Sequence, residues 1–243
     1  MNNIDYLRAR YTELVIPTIS EYALQFYLSF ARESNGRILN PMCANGALLV
    51  PLFKVGFDIE GYDKNKHMLK YFHSKFDKSD ISPRIWIDDV TDNDVSDSQY
   101  DLILSHDNYF NLIDADDQLV LHSLYKQLIV GGALIFEVVT ISHDSWLIGS
   151  WQGNAQEINE NSFMVLNTLP DMGMYASALY EYKLYEMGQV VASASEIIRM
   201  KKYEVGALKK QLELVGFNII LHKPYVRGEK VSDGDMVIFE CRK

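Results

Sequence analysis

Apolar residues along the chain switch between two spacings, and the switches mark its elements. Near the N-terminus Tyr22, Ala23, Phe26, Tyr27 and Phe30 recur at helical intervals behind Ser20, a helix-capping residue type. Pro17 suits the break before them, so the first thirty-odd residues read as helices. From Arg37 short strands alternate with helices. The spacing predicts strands at Arg37–Asn40, Phe57–Tyr62, Arg84–Ile87, Tyr100–Leu104 and Ala133–Val139. It predicts helices at Ala47–Val55, stopped by Gly56, at Asn65–Phe76, and at Asp114–Ile129, closed by Gly131-Gly132. Strand, helix, strand in this rhythm implies right-handed crossovers and a parallel sheet.

Residues 141–203 break the rhythm. Aromatic residues crowd the stretch, and Tyr175–Tyr185 alternates, with Ala178, Tyr180, Tyr182 and Leu184 on one side. Turn signals flank it at Pro170-Asp171-Met172-Gly173 and Met187-Gly188-Gln189, which predicts an inserted antiparallel sheet of about three strands. A helix at Glu204–Val215, ended by Gly216, then leads to two strands in succession, Phe217–His222 and Met236–Arg242, an antiparallel pair at the sheet edge. The division expected is a main domain of residues 1–140 and 204–243 and an inserted β subdomain of residues 141–203.

Composition narrows the partners. The 243 residues carry a net charge of −10, and the densest basic group, Lys201, Lys202, Lys209 and Lys210, reads as a solvated helix face. A nucleic-acid partner is therefore disfavoured. The two cysteines, Cys43 and Cys241, have neither metal-ligand spacing nor a disulfide framework, so a reducing, cytoplasmic setting and no metal are expected. No apolar run reaches membrane-spanning length, and the N-terminus lacks the layout of a signal peptide, so no membrane partner is expected.

The chemistry-bearing stretch is Ile38-Leu39-Asn40-Pro41-Met42-Cys43-Ala44-Asn45-Gly46-Ala47-Leu48-Leu49, a strand, a tight loop and a helix. Ala44 and Gly46 let a ligand approach the strand's carboxyl end, and the helix N-terminus offers N–H groups to a carboxylate. With one glycine in place of a GxGxxG run, the loop suits a ligand without phosphate better than NAD or ATP. A structural turn would look the same. Asp63, at the end of the second strand, has two carboxylate oxygens to match the two hydroxyls of a ribose; its other reading is a cap on the next helix. The third strand ends in Ile87-Asp88-Asp89-Val90, where Asp89 suits an adenine amino group with Val90 against the ring, or the acids belong to a surface loop.

Taken together these sites resemble the class I S-adenosylmethionine-dependent methyltransferases over nearly the whole chain. Tyr100-Asp101-Leu102-Ile103-Leu104, Leu128–Ile135 and Leu212–Phe217 are similar to that family's fourth strand, its glycine-pair signature and its "GF" turn before the sixth strand. The Pro41-Met42-Cys43 loop resembles a bacterial subset. The resemblance implies a Rossmann-like, doubly wound, mostly parallel seven-stranded sheet with an antiparallel C-terminal edge pair, and a small antiparallel insertion after the fifth strand. It implies S-adenosylmethionine as cofactor, held by Tyr11, Asn40, Met42, Cys43, Ala44, Gly46, Asp63, Lys64, Met68, Asp88, Asp89, Val90 and Ser105. Two positions depart from the pattern: Asn40 stands where an acid is usual, and Ala44 where glycine is usual. They motivate an alternative, a non-catalytic or regulatory cofactor-binding protein on the same fold. Ser105-His106-Asp107-Asn108-Tyr109-Phe110 lacks the prolines of the motif used on base amino groups, so a small-molecule acceptor is expected.

His106, after the fourth strand, is the candidate general base, with His143 beside Asp144 as runner-up; ordinary loop histidines would look alike. Trp146, Trp151, Tyr175 and Tyr182 either roof the acceptor pocket or form the insertion's own core or a homodimer face. If His106 is the base, His106→Ala lowers turnover with little loss of cofactor affinity, as steady-state kinetics alongside cofactor titration would read.

Overall fold

The computed structural model describes residues 4–76, 81–92, 99–107, 109–113, 116–140, 154–159, 162–168, 175–222 and 236–243. Short apolar runs form five parallel strands: β1 (Ile38–Pro41), β2 (Ile59–Tyr62), β3 (Ile85–Trp86), β4 (Tyr100–Ser105) and β5 (Leu128–Val139). A second, antiparallel sheet follows, made of β6 (Asn154–Asn159), β7 (Ser162–Thr168), β8 (Tyr175–Glu186) and β9 (Gln189–Lys201) in that order. The last strands, β10 (Asn218–His222) and β11 (Met236–Arg242), return to the first sheet. There β11 runs antiparallel between β5 and β10, giving the order β10-β11-β5-β4-β1-β2-β3. This is the Rossmann-like, mostly parallel seven-stranded sheet with its antiparallel edge pair.

Helices cover both faces, which is why β1 and β2 are buried along their whole length. On one face α2 (Glu21–Glu33), α3 (Leu49–Lys54) and α4 (Lys66–Ser74) lay Tyr27, Phe30, Leu49, Leu52 and Phe72 on Ile38, Leu102 and Ile135. On the other, α5 (Asp117–Gln127) and α6 (Val205–Val215) lay Leu121, Leu124, Leu208 and Leu212 on Ile103, Leu134 and Phe239. Ser20 caps α2 as the pattern requires, accepting from the Ala23 amide at 3.3 Å, and Gly216 closes α6 in the left-handed region.

Two expectations are corrected. Gly131-Gly132 does not close α5, which ends at Gln127, because the pair lies within β5 at a register shift against β4. Gly131 has φ 83°, and a Cβ on Gly132 would meet the Tyr100 and Asp101 carbonyl oxygens at 3.1 Å. The inserted sheet has four strands rather than about three. The 13-residue β9 was hard to read because its half-buried positions, Ala192, Ala194 and Glu196, are small or charged. Met187 and Gly188, at φ 49° and 75°, make the two-residue turn between β8 and β9.

The helix α1 (Ile4–Val15) joins the two sheets. Toward the second sheet Leu7 packs with Tyr182 and Leu184. Arg8 donates to both oxygens of Glu196, through Nε at 2.8 Å and through Nη2, while the Tyr182 hydroxyl donates to Glu196 at 2.8 Å. Toward the first sheet Ala9 packs on Ala44 and Met68, and Asn45 Nδ2 donates to Glu13 at 2.7 Å. The far end of β9 is tied down by Lys201 Nζ and the Tyr203 hydroxyl, both donating to the buried Asp117, at 2.7 and 3.0 Å. None of the described helices is long and apolar enough to cross a membrane.

Candidate functional site

The sheet order reverses between β1 and β4, since the chain winds outward from β1 to β3 and then returns to the other side. Loops at the carboxyl ends of these two strands leave in opposite directions, and the crevice between them is the natural ligand position of an open α/β sheet. The loop after β1 is sharply folded: Met42, Ala44 and Gly46 have φ 52°, 48° and 78°. Such alternation turns backbone N–H groups inward, a geometry suited to anions. In this structure the anion is Asp63, at the end of β2. Its Oδ2 accepts from the Ala44 amide at 2.9 Å and its Oδ1 from the Asn65 amide at 2.8 Å. Burial pushes the Asp63 carboxyl up, and these two amides oppose the shift. Asp63 does not itself cap α4; Asn65 does, accepting from the His67 amide at 2.9 Å.

Several polar groups at this end of the sheet are buried without partners. Asn40, fully buried, spends its amide nitrogen on the Leu104 carbonyl at 2.7 Å, leaving Oδ1 with no hydrogen bond among the described residues. Ser105 Oγ, at the end of β4, is in the same condition, as are both ring nitrogens of His106. His106 is 3% exposed and lies edge-on to Tyr27 and Tyr109. Burial alone lowers its pKa to about 4, so the ring is neutral near pH 7. Buried polar atoms are normally paired, and a cluster of orphans marks a place where a ligand or water completes the set.

The other candidates fall in several places. Ala44 and Met68 meet under Ala9 of α1, so the methyl that replaces the usual glycine hydrogen is part of α1's seat. The Cys43 side chain belongs to the core under β1 and β2, where burial and the Asp63 charge push its thiol up. Met42 packs at the edge of the opposite core, and Val90 lies within that core. Asp88 accepts from the Trp86 indole at 3.0 Å and the Asp89 amide at 2.9 Å. Asp89 pairs with Lys64 at 3.2 Å and accepts from the Thr91 amide at 3.1 Å; burial raises its carboxyl, but these contacts hold it below the usual range. Tyr11 meets Tyr182 edge-on at 5.8 Å, on the side of α1 facing the second sheet. Tyr175 is half-buried on β8. His143, Trp146 and Trp151 lie outside the described residues. Among the described residues no group of His, Cys, Asp or Glu is placed to hold a metal ion.

Three residues at the site were not singled out from the sequence. Asn45, fully buried, fastens the loop to α1 through Glu13 and through the Ile16 carbonyl at 2.8 Å. Glu137, 3% exposed on β5, accepts from the Asp107 amide and so braces the turn after β4. A lone acid inside Leu134-Ile135-Phe136-Glu137-Val138-Val139 was a readable signal. Tyr109 follows in the short helix Tyr109–Leu112, its phenol pushed up by burial and by the Asp107 charge.

Two outcomes follow from this geometry. A Cβ at Gly46 would lie 2.4 Å from the Phe72 ring in a left-handed backbone, so Gly46→Ala costs about 3 kcal/mol in denaturant unfolding. For His106 the folded pKa, about 4, lies below the unfolded value near 6.5. The unfolded chain therefore binds the extra proton between these values, and the stability held above pH ~6.5 is lost as pH falls toward ~4. Measured from pH 7 to 4, unfolding free energy falls more steeply in the wild type than in His106→Asn, by up to about 1.4 kcal/mol per pH unit.

Comparison with known proteins is consistent with the geometry. Residues 38–132 match the family described as "Methyltransferase domain", a span from the first residue of β1 into the glycine pair of β5. No curated protein matches the chain in sequence. Among solved structures, an S-adenosylmethionine-dependent methyltransferase from Clostridium acetobutylicum superposes with a TM-score of 0.79 at 16% identity, covering 99% of each chain. The sugar N-methyltransferase KedS8 from a Streptoalloteichus species gives 0.70 at 14% identity, over 100% of this chain and 93% of that one. The amino pentose methyltransferase CalS10 from Micromonospora echinaspora, solved with S-adenosylmethionine bound, gives 0.66 at 14% identity, over 92% of this chain and 90% of that one. Residues 38–132 therefore match a methyltransferase domain, and the chain as a whole has the Rossmann-like fold of the class I methyltransferases.

Proposed function

We propose that this protein binds S-adenosylmethionine in the crevice between β1 and β4 and transfers its methyl group to a small-molecule acceptor. The observation that carries the reading is the set of buried, unpartnered polar atoms at that crevice, Asn40 Oδ1, Ser105 Oγ and the His106 nitrogens, beside a carboxylate at the end of β2. These groups fit the cofactor. Each Asp63 oxygen is used once by a backbone amide and keeps a further lone pair for a ribose hydroxyl. Asn40 Oδ1 and Ser105 Oγ are acceptors suited to an amino-acid ammonium, so Asn40 serves there without the charge of the usual acid. When bound, the cofactor supplies an electrophilic sulfonium methyl. The chain's own contribution is to fix the reactants and exclude water, and the low exposure of Asn40, Ala44, Ser105 and His106 suits that task.

The acceptor side of the reading rests on α1 and the second sheet, and we assign that sheet, within residues 141–203, as the substrate cap. Tyr11 and Tyr182 meet there, next to Tyr180. The acidic net charge and the absent prolines after β4 favour a small acceptor over a nucleic-acid base. KedS8 and CalS10, whose folds are similar, act on sugars, in keeping with a small polar acceptor. The resemblance of the Pro41-Met42-Cys43 loop to that of a bacterial subset of the class supports reading the chain as one of that subset.

Isothermal titration with S-adenosylmethionine is the direct test, with binding expected for the wild type. Asp63→Ala should weaken it by about 1.5–3 kcal/mol, the worth of hydrogen bonds to a charged group. Absence of binding to the wild type overturns the reading. Incubation of a cell extract with the protein and isotopically labelled cofactor, followed by mass spectrometry, then identifies the methylated product.

A further inference from the structure

We infer that Lys75 is a positioning residue for the cofactor loop: its ammonium holds the backbone around Ala44 in the left-handed shape that ligand binding requires, and so offsets the strain of an alanine at that place. The inference deepens the methyl-transfer reading and rests on it for the ligand, but the clasp is a set of contacts that can be read without one.

The face of α4 that meets the loop sets one residue against each part of it. Met68 packs with Ala44, and the Phe72 ring lies where a Cβ on Gly46 would be 2.4 Å away. Lys75, just past the helix end, is three residues on from Phe72 and so on the same side. Its Nζ donates to the Asn45 carbonyl at 2.9 Å and to the Pro17 carbonyl at 2.8 Å, and pairs with the Glu13 carboxylate at 3.1 Å. An ammonium has three N–H donors, and here each meets an acceptor on a different stretch of chain: the loop, the link between α1 and α2, and α1 itself. Burial lowers the pKa of this side chain, and Glu13 opposes the shift. Hydrogen bonds from a charged donor sheltered from water are strong ones, so the three contacts form a firm anchor.

The loop needs an anchor because Ala44 sits at φ 48°, a conformation that a Cβ disfavours. It is held from both flanks. On one, the Ala44 amide donates to Asp63 at 2.9 Å. On the other, the Asn45 carbonyl accepts from Lys75, and the Asn45 side chain donates to Glu13 at 2.7 Å. Glu13 receives both Asn45 and Lys75 on one oxygen, Oε2, so the loop, the end of α4 and α1 close on a single point. Without the ammonium the loop is free to relax from its strained shape. A ligand then finds the competent shape in only a fraction of the molecules, and its apparent affinity falls by that fraction. Glycine at position 44 would carry no such strain, so the clasp would matter less there. Lys243 gives a contrast of the same kind: its Nζ donates to the Tyr125 and Leu128 carbonyls at 2.9 and 2.7 Å, at the amino end of β5 and away from the crevice.

The test is a double-mutant cycle read by ligand affinity. Lys75→Met keeps the apolar stem and removes the ammonium, and Lys243→Met does the same at the far end of the sheet. The wild type, both variants, Ala44→Gly, and Ala44→Gly combined with Lys75→Met are titrated with S-adenosylhomocysteine well below every Tm. The expected result is that Lys75→Met weakens binding about tenfold. Lys243→Met leaves the affinity as it was, even where it lowers Tm. In the Ala44→Gly background Lys75→Met costs no more than about threefold, because the two residues act on one loop. Without ligand, hydrogen exchange of the peptide spanning residues 42–48 rises in Lys75→Met and not in Lys243→Met. Unchanged affinity or unchanged exchange in Lys75→Met, a loss matched by Lys243→Met, or an equal loss in both backgrounds overturns the inference. Should Lys75→Met not fold, Lys75→Gln, which keeps one donor group, is read in the same cycle. Failure of the wild type to bind S-adenosylhomocysteine strikes the methyl-transfer reading instead, and the exchange comparison then decides the clasp by itself.

Discussion

The hydrogen bond from the Ala44 amide to the Asp63 carboxylate is the contact on which the site depends. It ties the loop after β1 to the end of β2 and holds that loop in a backbone shape that two of its residues adopt only at a cost. From that fixed loop, Asn45 fastens α1, and Ala44 provides the surface on which Ala9 rests. The carboxylate shapes the loop while each of its oxygens accepts a single backbone amide, and a carboxylate can accept several hydrogen bonds.

Much of the fold was legible from spacing. The β11 strand has the bounds the apolar pattern gave, Met236–Arg242, and Ser20, Gly56 and Gly216 punctuate the chain where their chemistry says they should. The alternation of strand and helix was enough for the parallel sheet, because strands buried on both faces read as continuous apolar runs. What escaped was set by contacts distant in sequence. Gly131-Gly132 looked like a helix stop, but its role depends on the β4 backbone beside it. The β9 strand hid behind alanines and a glutamate whose partner, Arg8, lies near the other end of the chain.

The location of the candidate residues was legible in outline. Asn40, Ala44, Gly46, Asp63, Ser105 and His106 all lie at the carboxyl ends of β1, β2 and β4, the end of the sheet where a strand–loop–helix reading puts chemistry. Finer roles were not, because they turn on which oxygen is already in use. Asp88 and Asp89 look alike in sequence, but one braces an indole and the other a lysine.

The bridge formed by α1 also bears on how the chain is made. Arg8 and Glu196 are 188 residues apart, so the helix leaves the ribosome long before its partner exists. At ordinary rates of translation the wait is roughly 10–40 s. During it Leu7 and Tyr11 have no β8 to cover them, although the opposite face of the helix can already rest on Ala44 and Met68. The interval ends only when β9 emerges, so one apolar face of this helix stays uncovered while all five parallel strands are made, a natural client for a chaperone at the tunnel exit.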